Sequence, residues 1–96
     1  MLVLVTYDVS TVEKAGLRRL RRVARTCEDY GTRVQKSVFE CQVTLAEFEA
    51  LERRLLAEIA LETDCLRLYR MPDTRGAEVR EHGSFRAVDF EGPLVT

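Results

Sequence analysis

Apolar and polar positions change period several times along the chain, and each change marks an element. Leu2 to Val9 (LVLVTYDV) is an apolar, β-branched run that ends in a polar cluster, the pattern of a buried central strand. Ser10 or Thr11 then reads as a helix N-cap, with Glu13 or Lys14 in the first turn. From Val12 to about Tyr30 the apolar residues Leu17, Leu20, Val23, Ala24 and Cys27 share one helical face, and Gly31 stands at the C-terminal end. Thr32 to Thr44 is rich in β-formers, with Val34, Val38, Glu40 and Gln42 on one parity and Phe39, Cys41 and Val43 on the other. That parity breaks near Lys36-Ser37, which leaves one bent strand or two strands joined by a very tight turn. Leu45 to about Leu61 is a second helix, with Leu45, Phe48, Leu51, Leu55 and Ile59 on one face. Asp64 to Arg70 alternates as a strand, with Cys65, Arg67 and Tyr69 opposite Leu66 and Leu68.

Residues 71–84 contain Pro72, Gly76 and Gly83 and read as a polar linker or hinge. Phe85 to Phe90 alternates again as a short last strand, and a frayed tail follows from Gly92. The order β-α-β-β-α-β predicts an α+β, ferredoxin-like fold over residues 1–70 with one extra C-terminal strand in 85–96, all in a single domain. A strand without a place in its own sheet is suited to cap the edge of a partner's sheet in a homodimer.

The length of 96 residues suits one domain, and 46% hydrophobic residues suffice for its core. The formal net charge of −1 says nothing about partners, but its distribution does. Residues 1–44 carry eight Lys and Arg against five Asp and Glu, whereas residues 45–96 carry seven against eleven. The basic half can hold phosphates locally, because fields decay within roughly 8–10 Å at physiological salt. Three cysteines with no CxxC spacing (Cys27, Cys41, Cys65), each among apolar neighbours, read as buried thiols in a reducing cytosol. No stretch approaches the roughly 20 apolar residues of a membrane span. The expectation is a soluble, cytoplasmic protein.

Candidate chemistry is sparse. The one histidine, His82, falls in the polar linker, and neither a Gly-rich phosphate loop nor a paired-cysteine metal motif occurs. Asp8, at the end of the first strand and beside Tyr7, is either a turn aspartate or a metal ligand aimed out of the sheet end. Mg²⁺ or Mn²⁺ wants more than one carboxylate, and a two-fold homodimer supplies a second Asp8. Such an ion would serve phosphodiester cleavage. Arg18, Arg19, Arg21, Arg22 and Arg25 crowd the first helix, and a helix poor in acids leaves them for phosphates of duplex nucleic acid. The alternative is an ordinary solvated face. The glutamates of the second helix (Glu47, Glu49, Glu52, Glu58) form a solvated face or meet a basic protein partner.

Several segments resemble one known family: Val5-Thr6-Tyr7-Asp8-Val9, Leu17 to Ala24, Cys27 to Gly31, Asp64 to Tyr69 (its fourth strand) and, most specifically, Gly31 to Cys41 (GTRVQKSVFEC). These are similar to the small CRISPR-associated adaptation protein, a ferredoxin-like endoribonuclease or endonuclease family, over about residues 2–70. The resemblance implies a tight hairpin at Lys36-Ser37 and a homodimer in which the last strand completes the neighbour's sheet. It also implies Asp8 as a divalent-metal ligand near the two-fold axis. It implies association with the CRISPR integrase, the dimer bridging integrase dimers and holding incoming duplex DNA. Tyr7, Asp8, the helix arginines, Arg33 and Phe39 match the family's active-site and nucleic-acid positions, with Ser10 and Ser37 beside them. A non-catalytic scaffold and, more remotely, a toxin-like messenger RNA nuclease are the alternative functions.

Overall fold

The structure, a computed structural model, describes residues 1–71 and 78–84. The anticipated strand Phe85–Phe90 and its tail lie outside the described residues. Along the chain run β1 (Leu2–Asp8), α1 (Lys14–Glu28), β2 (Gly31–Gln35), β3 (Val38–Gln42), α2 (Leu45–Glu58), β4 (Cys65–Met71) and β5 (Glu78–Gly83). The five strands form one sheet in the order β2-β3-β1-β4-β5, every neighbouring pair antiparallel. The first six elements thus take the ferredoxin-like order. Among the described residues no helix is long and apolar enough to cross a membrane.

One side of the sheet is the core. Val3, Val5 and Tyr7 of β1, Phe39 and Cys41 of β3, and Leu66 and Leu68 of β4 are buried there. Val23 and Cys27 of α1 and Phe48, Leu51 and Leu55 of α2 close over them. Each such side chain stabilises the fold by about 1.5–3 kcal/mol through burial. The parity break near Lys36-Ser37 resolves as a two-residue turn between β2 and β3. The register shifts between Arg33 and Gln35, which drops Val34 from the pairing and leaves it 46% exposed.

Four details depart from the pattern reading. Helix α1 starts at Lys14, and its N-cap is Glu13, whose side chain makes no capping bond. Neither Ser10 nor Thr11 caps it, because the chain folds back sharply: a Cβ on Gly16 would lie 1.9 Å from the Ser10 carbonyl oxygen. The buried line of α1 runs through Gly16, Val23, Thr26 and Cys27, so Leu17 falls to one side and is 46% exposed. Helix α2 ends at Glu58 and begins with a capping box: the Thr44 hydroxyl accepts from the Glu47 N–H at 3.1 Å, and the Glu47 carboxylate accepts from the Thr44 N–H at 2.8 Å. Leu45, on its first turn, is exposed.

The fourth departure is β5, which occupies part of the stretch read as a linker. Its residues Arg80, Glu81 and His82 are matched by charged neighbours. Arg80 reaches Glu52 at 2.7 Å and Glu49 at 3.3 Å, His82 Nε2 lies 2.7 Å from Glu52, and Glu81 pairs with Arg67 at 2.7 Å. Glu49 and Glu52, half of the acidic row on α2, therefore face the chain's own edge strand. Gly83 ends that strand at φ +117°, where an added Cβ would meet the Asp64 carbonyl oxygen at 1.7 Å.

The cysteines differ in their surroundings. Burial pushes the thiol of Cys27 up to about 12 and that of Cys41 up to about 11, while Cys65 is half-buried at the sheet end. A disulfide-exchange reagent at pH 8 is expected to modify Cys65 alone in the native protein, and Cys27 and Cys41 only after denaturation. Rapid native titration of all three thiols would contradict the buried placement.

Candidate functional site

The C-terminal end of β1 is held from both sides. On one side, the Tyr7 N–H donates to the Ser37 carbonyl at 3.2 Å and the Tyr7 hydroxyl to the Lys36 carbonyl at 3.4 Å. The β2–β3 turn is thereby pinned against the strand end. Burial, with the added influence of Cys27, raises the Tyr7 phenol above its ordinary value, so it remains a donor at neutral pH. Its ring lies under the turn, stacked with Phe39 at 6.3 Å, and the Arg33 guanidinium lies 5.1 Å from the Phe39 centroid. Tyr7 and Phe39 are core residues that shape the site from below.

Asp8 follows Tyr7 with the opposite parity, so its carboxylate is exposed. It stands on a ridge between two hollows. An open cleft of about 530 Å³ has an apolar floor of Val9, Leu20 and Ala24 and a rim of Asp8, Arg21, Arg33, Lys36 and Ser37. A smaller depression of about 210 Å³, lined by Thr6, Val38, Cys65 and Arg67, shares Tyr7, Asp8 and Ser37 with it. Asp8 is paired across the ladder with Cys65 of β4.

The arginines of α1 divide into two groups. Arg19 grips the buried Asp64 with two nitrogens, Nε to Oδ2 at 2.9 Å and a terminal nitrogen to Oδ1 at 3.2 Å. Arg22 pairs with Glu58 at 2.7 Å. Among the described residues, Arg18, Arg21, Arg25 and Lys36 have no carboxylate within 4.0 Å, and Arg33 has only a long contact to Glu28. The anticipated five-arginine face is therefore narrower: Arg19 is committed to the fold, and Arg21 and Arg33 turn to the cleft beside Asp8.

Asp64 is not among the candidate site residues of the sequence, where it opens the strand that resembles the family's fourth. Nothing in Glu62-Thr63-Asp64 distinguishes a solvated turn acid from a hub. Its side chain is fully buried, and its oxygens accept from the N–H groups of Ser10 and Ala60, the Thr63 hydroxyl and Arg19. Burial pushes this carboxyl up, but the Arg19 bonds and the Ala60, Ser10 and Thr63 donors outweigh it and hold it below the usual carboxylate range. For Ser10, the group engaged is its backbone N–H.

The exposed Asp8 carboxylate, beside Arg21, Arg33 and Lys36, offers the hard oxygen donors that Mg²⁺ and Mn²⁺ take. One Asp8 is a partial set: among the described residues no three His, Cys, Asp or Glu side chains are grouped to hold an ion. Mg²⁺ is ordinarily held by one or two carboxylates, its other ligands being water and phosphate oxygens.

The profile of the family described as CRISPR associated protein Cas2 matches residues 1–79. The CRISPR-associated endoribonuclease Cas2 1 of Moorella thermoacetica is 50% identical over 95 residues, 99% of each chain. The CRISPR-associated endonuclease Cas2 of Halalkalibacterium halodurans is 44% identical, again over 99% of each chain. The likeness therefore runs well past residue 70, farther than the quoted motifs reach. The crystal structure of Streptococcus pyogenes Cas2 at pH 6.5 superposes with a TM-score of 0.70 at 54% identity, covering 77% of this chain and 89% of that one. With the fold and the full-length likeness in agreement, the chain belongs to the Cas2 family.

Proposed function

We propose that the chain is a metal-dependent phosphodiesterase of CRISPR adaptation that works as a homodimer, with Asp8 of each copy holding one Mg²⁺ or Mn²⁺ ion. The observation that carries this reading is the exposed Asp8 carboxylate on the rim of a cleft whose other rim residues include Arg21, Arg33 and Lys36. Relatives named as CRISPR-associated endoribonuclease and endonuclease support it. Held at Asp8, such an ion would supply charge neutralisation at the phosphodiester. Arg21, Arg33 and Lys36 orient the strand by its phosphates, and Ser37 stands on the shared rim beside the reacting group. The partners in this reading are duplex DNA or RNA and the CRISPR integrase.

A second reading is favoured by the exposed Arg18, Arg21 and Arg25, which lack carboxylate partners among the described residues. It makes the dimer a scaffold that holds a duplex without cutting it. Cleavage of labelled RNA and duplex DNA with Mg²⁺ or Mn²⁺, alongside binding of an uncleavable duplex, separates the two. Metal-dependent cleavage supports the phosphodiesterase; tight binding with no cleavage of either substrate supports the scaffold.

Both readings need the α1 cations. Changing Arg18, Arg21 and Arg25 together to glutamate is expected to weaken duplex binding at least about a hundredfold near 0.15 M salt. It should also flatten the plot of log affinity against log salt by about three. Unchanged affinity and slope would remove α1 from the nucleic-acid surface.

A further inference from the structure

We infer that Asp64 is a positioning residue for Asp8: it fixes the strand end that carries the exposed carboxylate. The inference rests on the phosphodiesterase reading, and goes beyond it by assigning a role to a side chain that touches neither substrate nor metal.

Asp64 reaches the site along two short routes. It is adjacent to Cys65, the ladder partner of Asp8. Its Oδ1 also holds the N–H of Ser10, two residues past Asp8, at 3.0 Å. The opposite side of Ser10 is closed by α1, whose Gly16 leaves no room for even a Cβ against the Ser10 carbonyl. The turn leaving Asp8 is therefore clamped between a carboxylate and a helix backbone. The clamp is itself anchored to three other elements. Arg19 ties it to α1 at 2.9 and 3.2 Å, the Ala60 N–H ties it to the end of α2 at 2.8 Å, and the Ser84 N–H donates to the Asp64 carbonyl at 3.0 Å.

Stability alone does not call for this arrangement. Burying an ion pair costs desolvation, and an apolar side chain of similar volume often stabilises as much. An apolar side chain could not hold the Ser10 amide, and so could not set the direction in which Asp8 leaves the sheet. Displacement of a supporting group by about 1 Å is enough to lower turnover by 10–100-fold.

The test uses Asp64→Asn, Arg19→Lys, Asp8→Asn and a core control, Val43→Ala, all at least 15 °C below their melting points. The readouts are kcat and KM on labelled RNA and Mn²⁺ affinity by electron paramagnetic resonance. Asp64→Asn is expected to lower kcat about 10–100-fold with KM within about twofold, and to weaken Mn²⁺ binding about tenfold. Arg19→Lys, which keeps the charge and loses the two-point grip, should show a smaller loss of the same kind. It decides the matter if Asp64→Asn does not fold. Val43→Ala should leave kcat and Mn²⁺ affinity near wild type despite a lower melting point. Wild-type kcat and Mn²⁺ affinity in a folded Asp64→Asn protein overturn the inference, as does an equal loss in Val43→Ala. Retained cleavage and Mn²⁺ binding in Asp8→Asn overturn the underlying reading, and the positioning role with it.

Discussion

Asp8→Asn is expected to lower Mg²⁺-dependent cleavage by about a thousandfold or more while leaving binding to an uncleavable duplex within about twofold. Asparagine has the same shape but no charge, and a hard divalent cation held through few protein oxygens depends on that charge. The fold should not notice. The side chain is exposed, and the β1–β4 ladder at this position is made by backbone groups. Surface changes of this kind usually cost less than about 0.5 kcal/mol. In the proposed reading affinity rests on the cations Arg18, Arg21 and Arg25 of α1, all of which Asp8→Asn leaves in place, so binding should outlast cleavage. Measuring both on the same preparation checks it; cleavage that survives the substitution would remove Asp8 from the chemistry.

The largest effect on stability is expected at Asp64. Asp64→Ala removes the acceptor of Ser10, Ala60, Thr63 and Arg19 together. Breaking a buried pair from one side costs about 3–5 kcal/mol. Because Arg19 retains 18% exposure and can be partly rehydrated, the lower part of that range applies. For a domain of this size that lowers the melting temperature by roughly 15 °C. The same residue predicts an acid dependence. Its carboxyl is held below the usual range when folded, so the unfolded chain takes up the proton first. Its contribution is therefore complete above the unfolded value near pH 4 and is lost as pH falls through the lower folded value. Denaturant unfolding from pH 7 to pH 3 should show wild type losing stability more steeply than Asp64→Ala at the acid end. Parallel curves would show that the pair contributes nothing to acid sensitivity.

The elements legible in advance were those whose pattern came from burial. Val3, Val5 and Tyr7, and likewise Phe39, Cys41, Leu66 and Leu68, alternate because one face of the sheet meets the helices and the other does not. Residues 78–83 were illegible for the opposite reason. In Glu78-Val79-Arg80-Glu81-His82, Arg80, Glu81 and His82 are matched by Glu49, Glu52 and Arg67 from distant parts of the chain, and no local pattern announces that. Asp8 could be singled out because a charge ending an apolar strand is a visible anomaly. Asp64 could not, because its meaning lies in Ser10 and Arg19, donors that only folding brings to it. The arginines of α1 were read as one group by composition; Asp64 and Glu58 remove Arg19 and Arg22 from that group.

The contact between Gly16 and Ser10 has a consequence for anyone wishing to make the protein more heat-resistant. Glycine inside a helix is the usual first target, since alanine improves intrinsic helix propensity by about 1 kcal/mol. Here that methyl would drive against the Ser10 carbonyl and push the β1–α1 turn off its seat. The available improvement lies three residues earlier, at Glu13, which occupies the N-cap without capping. A short acceptor side chain there would add a bond at a position remote from the cleft. In α1, then, thermal robustness is to be gained at the N-cap, and the first-turn glycine is the residue to leave alone.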